Sequence, residues 1–488
     1  MNESMQCMKR LLPLLILVFL TLPQPPVNAI DIALPEMGDS AGALISPREE
    51  YQIGQAFFWR LQQNTELVDD PEVNSYLQSL GYKLVSNSDA PGLEYTFFMV
   101  PSASVNAFAA PGGFIGVHTG LLLTAQTEDE LASVMAHEIA HITQRHILRS
   151  FEHSKRMTIP RTAALIAAAL LGAADPKAGS AAIMAVQAGD IQSQLDYSRA
   201  HEAEADNLGM QTLVASGFDP NAMPSFFEKL QQASRYYGGD SIPEFLRTHP
   251  VTISRIADAR GRAVKYKVKS QLGDSLKFYL MREKVRVMMA ENSSELLRHY
   301  EHVLSDENSQ HKDANQYGYA LALLKNGQLT QARNALQPLL NKERDRLTYQ
   351  LALADIEMAV GRIKTALAIY DDYQRLYPDD QALTMKQVHA LLQTGRPQQA
   401  AKLLQTQLDL GESSRDMYKL MAQAKGDMGR KSEAHRWLAE YYYQSGLLKA
   451  AADQLRLAAE SAGHDEYQRA QIASRLREVE NALAEMEQ

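Results

Sequence analysis

The sequence predicts an α-dominated, multidomain protein: an α+β domain with a small sheet, followed by an all-α repeat solenoid. Three observations predict it. The 488 residues give room for two to four domains at roughly 100 to 200 residues each. Between about residues 50 and 265 strand-like and helix-like stretches alternate, and from about residue 311 the pattern is helical with a fixed period. The composition is that of a globular chain, 22 % charged and 45 % hydrophobic with net charge -9. No basic surface for neutralising phosphates is indicated, so nucleic-acid binding is excluded as a function class.

The N-terminus reads as an address. Lys9 and Arg10 precede the apolar run Leu11 to Leu22, and Val27-Asn28-Ala29 fits a cleavage site. Residues 1–29 are therefore expected to be a signal peptide and 30–49 an N-terminal extension. The apolar run is well short of the ~20 residues a bilayer crossing needs, so the mature chain is expected to have no membrane span. The single cysteine, Cys7, leaves with the leader. Without a thiol, disulfides and Cys-ligated zinc are excluded, and any metal must be held by His, Asp or Glu. Export without disulfides fits a bacterial periplasm.

Thr127 as N-cap and Glu130 reaching back form a capping box that opens a helix running through Ile142. It carries His137, Glu138 and His141, the pattern His-Glu-x-x-His. Positions four apart on a helix differ by only ~40° in direction, so both imidazoles can grip one ion, and Glu138 stands beside the first as general base. A catalytic zinc site takes three protein ligands. The helical stretch Ser198 to Asp206 supplies the third as Glu202, with Asp206 one turn on to hydrogen-bond the far nitrogen of a ligand imidazole. Glu204 points away and is expected to be solvated.

The other histidines are weighed individually. His249, before Pro250, is expected at a helix start, where it either polarises the scissile carbonyl or caps the metal at rest. His146 is expected to pack or hydrogen-bond rather than ligate, His201 to face away, and His118 to border the cleft. An edge strand near Asn106 to Phe108 is the expected substrate track. The apolar runs Thr162 to Ala174 and Ala181 to Ala188, within residues 151–192, suit a helical lid.

After a helical connector at 266–310, Gly327, Gly361, Gly395 and Gly429 recur every 34 residues. Ala332, Ala366, Ala400 and Ala434 follow each glycine, and Leu336, Tyr370, Leu404 and Leu438 sit a turn further on. This resembles the tetratricopeptide repeat, over residues 311–488. Gly446, Ala451 and Leu455 continue the stacking at a half-period offset, and Ile472, Leu476, Val479 and Leu483 mark a capping helix. Trp437, Tyr441, Tyr442 and Tyr443 either line a concave binding surface or, as the stronger expectation, belong to the core.

The His-Glu-x-x-His helix, the downstream Glu-x-x-x-Asp pair and the stretch Val105 to Gly113 through Thr119 to Leu121 resemble the M48 zinc metallopeptidases, over about residues 50–265. The attached repeats resemble that family's periplasmic branch. The resemblance implies a zincin-like endopeptidase with one Zn2+ per chain, His137, His141 and Glu202 as ligands, Glu138 as the catalytic carboxylate and Asp206 behind the ligands. It further implies misassembled outer-membrane proteins as substrates, chaperone activity alongside, and association of the repeats with the barrel-assembly machinery. Two rivals stand beside it: a repeat scaffold with a purely structural zinc, and a zinc hydrolase of cell-wall amides.

Overall fold

The computed structural model describes residues 45–151, 199–237, 243–266, 275–411 and 413–487. The expected signal peptide and the expected lid at 151–192 lie outside these, apart from Phe151.

Helix α1 (Pro47–Asn64) opens with a full capping box on Ser46, and α2 (Pro71–Val85) is capped by Asp70, whose side chain accepts from two backbone N–H groups. Strands β1 (Thr96–Val100), β2 (Ala107–Ala110) and β3 (Phe114–His118) form a sheet of order β1-β3-β2. β1 runs parallel to β3 and β2 antiparallel to it, which leaves β2 as an edge. After α3 (Thr119–Thr124) comes α4 (Glu128–Thr143), the helix carrying the His-Glu-x-x-His pattern. α4 is buried on every side from Asp129 to Ile142, so it is the spine of this domain rather than an amphipathic surface helix. α5 (His146–Phe151), α6 (Arg199–Ala215), α7 (Ala222–Tyr237), α8 (Glu244–Thr248) and α9 (Ile253–Ala263) complete the unit around it.

The capping box at α4 forms only in part. Thr127 Oγ1 accepts from Glu130 N–H at 3.3 Å, but Glu130 reaches past Thr127 to accept from Gln126 N–H at 2.8 Å. Its other oxygen is drawn off by Lys229 on α7.

The helices α10 (Ser275–Met289) and α11 (Ser293–Ser305) join this unit to the repeats. One continuous apolar core runs from Val68 through Phe278 and Tyr300 to Ile356, so both helices and the first repeats pack on the same interior as α4. Lys284 of α10 reinforces the seam, pairing with Asp70 at 2.9 Å and with Glu72.

The repeats are four helix pairs: α12 (Lys312–Lys325) with α13 (Leu329–Lys342), α14 (Leu347–Ala359) with α15 (Ile363–Leu376), α16 (Gln381–Gln393) with α17 (Pro397–Asp409), and α18 (Arg415–Asp427) with α19 (Lys431–Gln444). The glycine within each pair, Gly327, Gly361, Gly395 and Gly429, takes φ between 70° and 83°, a left-handed turn that a side chain would strain. Ala332, Ala366 and Ala400 are fully buried, as close helix approach requires. α20 (Leu448–Ser461) and α21 (Glu466–Glu487) close the stack, with Ile472 and Val479 buried against it.

The aromatic cluster lies at the margin of the core, with Trp437, Tyr442 and Tyr443 packed against the buried residues of the repeats. Trp437, Tyr441, Tyr442 and Tyr443 are all half-buried. Their ring faces are taken by other groups: Trp437 stacks on Tyr418, Arg415 and Lys419 cover Tyr441, and Arg475 covers Tyr443. Tyr443 also meets Trp59 of α1, whose Nε1 donates to Gln444 O at 2.8 Å, so the last repeats return to the first helix of the chain. Among the described residues no helix is long and apolar enough to cross a membrane.

Candidate metal centre

α4 and α6 meet closely because Gly209 of α6 lies on the backbone of His137; a Cβ there would come within 3.0 Å of His137 N and Cα. That contact sets Glu202, two turns earlier on α6, opposite the two imidazoles. His137 Nε2 and His141 Nε2 are 3.0 Å apart, and the Glu202 carboxylate lies 3.5 Å from each. His249 Nδ1 joins them, 3.4 Å from His137 Nε2 and 3.0 Å from Glu202 Oε1. One ligand atom from each of these four residues lies within 4.8 Å of every other.

These separations test whether a metal fits. Zinc bonds of ~2.0–2.1 Å in a tetrahedron place ligand atoms about 3.3 Å apart; the five closest contacts, 3.0–3.5 Å, bracket that, and one atom from each of the four residues lies within 4.8 Å of the others. The donor set of three imidazoles and a carboxylate is one that zinc accepts. The residues fit a single divalent cation.

The electrostatics agree. Burial opposes charge on His137, yet hydrogen bonds to Asp206 and Glu202 outweigh it and raise its pKa to about 9. Burial opposes the Glu202 anion too, but the His249 and His137 imidazoles hold it well below the usual carboxylate range. Burial and the neighbouring His137 charge push His141 far down. The same carboxylates that favour a positive charge on His137 would favour a bound cation.

Supporting groups surround the cluster. Asp206 Oδ1 meets His137 Nδ1 at 3.0 Å, and Arg255 of α9 grips Asp206 through Nε at 2.8 Å and Nη2 at 2.7 Å. The same guanidinium reaches Glu202 Oε2 at 2.8 Å. Glu138 is 1 % exposed, 3.5 Å from His249 Nε2, and its carboxylate accepts the Ala109 N–H of the edge strand; burial raises its pKa. Two cavities of about 560 and 390 Å³ lie between the α1–α2 region and the repeats, and the residues of the histidine and carboxylate cluster are themselves buried.

Three expectations are corrected by this geometry. His249 is not at a helix start: it caps the C-terminal end of α8, its N–H donating to Phe245 O at 2.7 Å, and the next helix begins beyond Thr252. Pro250 ends one helix rather than opening another. Glu204 is not simply solvated, because His146 Nε2 and Arg149 hold it at 3.0 and 3.1 Å. His118 is fully buried and borders no open cleft; its Nδ1 meets Ser104 Oγ at 2.7 Å, and Ser104 donates to Glu244 at 2.8 Å. His146 hydrogen-bonds, as expected, to His141 Nδ1 at 2.8 Å, and His201 stacks on its ring. Arg255 was invisible as a site residue, one of 49 basic residues with no motif around it; only the packing of α9 on α6 selects it.

A paired-histidine helix buried behind a small sheet, met by an acidic residue from a second helix, defines a metallopeptidase. The chain belongs to peptidase family M48, whose description matches residues 71–263. Residues 317–445 match the coatomer epsilon subunit family. The chain is 34 % identical over 431 residues to the beta-barrel assembly-enhancing protease of Escherichia coli strain K12, covering 87 % of this chain and 88 % of that protein. It is 34 % identical over 403 residues to a putative beta-barrel assembly-enhancing protease of Vibrio cholerae, covering 82 % and 83 %. Over 185 residues it is 28 % identical to the mitochondrial metalloendopeptidase OMA1 of Arabidopsis thaliana, 38 % of this chain and 35 % of that one. The short match to the last relative is confined to a length that the peptidase unit alone accounts for.

Proposed function

We propose that this chain is a periplasmic, zinc-dependent endopeptidase, exported by a cleavable signal peptide, that hydrolyses unfolded or misassembled outer-membrane proteins. Its repeats engage substrate or the barrel-assembly machinery, with chaperone activity beside proteolysis. The substrate class rests on relatives named for barrel assembly. The chemistry rests on one observation: His137, His141 and Glu202 offer their ligand atoms to a common point, with Glu138 next to them.

Zinc, when bound, supplies a Lewis acid and a water acidified to a pKa of about 7. Glu138 would take the water proton and return it to the leaving amine, a role that its burial, which raises its pKa, supports. Asp206 keeps the proton of His137 on Nδ1, leaving Nε2 for the ion. An extended substrate would add to the edge strand β2. Because His118 N–H donates to Asn106 O, the neighbouring residues 105, 107 and 109 turn their backbone groups outward. Two of those groups are already engaged, Val105 O by Phe245 N–H at 3.1 Å and Ala109 N–H by Glu138. A substrate strand would therefore displace α8 and carry His249 away, which makes His249 a cap on the resting site rather than a polariser of the carbonyl.

That fourth donor also favours a second reading, a closed structural zinc. Glu138 separates the two, since a structural site has no use for a buried carboxylate beside its ligands. Purified mature protein and Glu138→Gln are compared for zinc content and for cleavage of an unfolded protein. Equal zinc with loss of ~10³-fold or more in rate is expected; equal rates establish the structural reading.

A further inference from the structure

We propose that His146 and Glu204 form a positioning relay that fixes the ring of His141 for metal binding, built by a deliberate break in the helix between His141 and His146. The inference rests on the metal-centre reading above and extends it to residues that touch no ligand atom of the ion.

The two histidines of the His-Glu-x-x-His pattern are supported differently. His137 Nδ1 meets a carboxylate directly, Asp206 at 3.0 Å. His141 Nδ1 meets another imidazole, His146 Nδ1, at 2.8 Å. With His141 Nε2 turned toward the ion, its proton sits on Nδ1, so His141 donates and His146 Nδ1 accepts. His146 then carries its own proton on Nε2 and donates it to Glu204 Oε2 at 3.0 Å. Arg149 Nη1 meets the same oxygen at 3.1 Å, which stabilises the carboxylate as an acceptor. Every atom in the chain has one role consistent with its neighbours.

The backbone supplies an independent observation. On an uninterrupted helix a residue five places on points about 140° away from its predecessor, so His146 could not face His141. α4 stops at Thr143, and Arg145 takes φ of 51°, one of two non-glycine residues with positive φ among the described residues. That left-handed residue is costly for a side chain that is not glycine. It is clamped by Arg145 Nε on Glu50 at 3.0 Å and Nη2 on Ile45 O at 2.8 Å. The turn folds His146 back beneath His141, where it is fully buried and stacked at 4.5 Å on His201. His201 lies next to Glu202 in the chain, so the ring stack also ties the relay to the helix carrying the third ligand.

The test measures zinc affinity of the full mature chain by competition with a chromogenic chelator, with thermal melting of the metal-free protein as a fold control. His146→Ala is expected to weaken zinc binding about 10- to 100-fold. His146→Asn, whose side-chain oxygen can accept near the Nδ1 position, is expected to recover to within roughly threefold of the unsubstituted chain. Glu204→Ala, at a partly exposed position, is expected to lose about tenfold, and decides the matter where His146→Ala does not fold. A chain that binds zinc and is indifferent to both alanine substitutions overturns the relay alone. A chain that takes up no zinc without substitution overturns the metal-centre reading and the relay together.

Discussion

Arg255 shows how much of the site depends on a residue that touches no reacting group. Its guanidinium pairs with both oxygens of Asp206 and with Glu202, all three residues being buried. Removing one partner from such a set leaves charges buried without compensation, at a cost of roughly 3–5 kcal/mol. Arg255→Met is expected to lower the melting temperature accordingly. Arg255→Lys is expected to recover little, because an ammonium cannot reproduce the forked contact; calorimetry of the metal-free chains checks both. His249 is proposed to work in the opposite sense. Under that reading, as a cap on the resting site, it should be lifted in only a minor population, of order 0.1–10 %. His249→Ala is then expected to raise cleavage of an unfolded substrate by about tenfold or more. A fall in rate with unchanged zinc content would instead assign His249 to the chemistry.

At the scale of elements, the N-terminus of α2 and the middle of α10 are held by a buried charge cluster. Lys284 lies between Asp70 and Glu72, and Lys386 of α16, paired with Asp355 at 2.6 Å, comes within 3.9 Å of Glu72 from the repeats. Burial opposes the Asp70 charge, but Lys284 and Lys386 keep its pKa below the ordinary value. A carboxylate depressed on folding contributes stability above its unfolded pKa of ~3.9, and that contribution is lost as pH falls through the folded value. Asp70 also caps α2, accepting from Glu72 and Val73 N–H, a role asparagine can keep. Asp70→Asn is therefore expected to flatten the loss of melting temperature on acidification below about pH 4, while neutral-pH helix content stays the same. Melting curves between neutral and acid pH for the two proteins measure this; identical slopes would remove Asp70 from the account.

Over the whole molecule, the peptidase unit and the repeats are not beads on a string. The core that begins at Val68 continues to Ile356, and the final repeats close back on α1 through Trp59. Gly446 takes φ of 70° with the Trp59 ring against it, so the turn between α19 and α20 is shaped to receive that side chain. Replacing a buried tryptophan by alanine costs about 3–5 kcal/mol at its site. Trp59→Ala is expected to speed amide exchange in α19 and α20 selectively, leaving α4 protected, because the lost contact belongs to the far end of the solenoid. Hydrogen exchange by mass spectrometry reads this directly, and uniform exchange across the chain would place Trp59 in the common core instead.

By itself the sequence determined those features whose physics is local. The 34-residue glycine period named the left-handed turns, and the spacing of His137 and His141 placed two imidazoles on one helix face, because turn conformation and helical pitch are properties of a few consecutive residues. The Glu202 to Asp206 spacing likewise separated two carboxylates by one helical turn. Tertiary structure alone decided which groups meet across elements. It brought Arg255 under Asp206, set His249 at the end of one helix rather than the start of another, gave Glu204 a partner in His146, and drew Glu130 away from its own N-cap. Each of these depends on how distant segments approach, and hydrogen bonds and charge pairs form with whichever partner the packing delivers, not with the nearest in the chain.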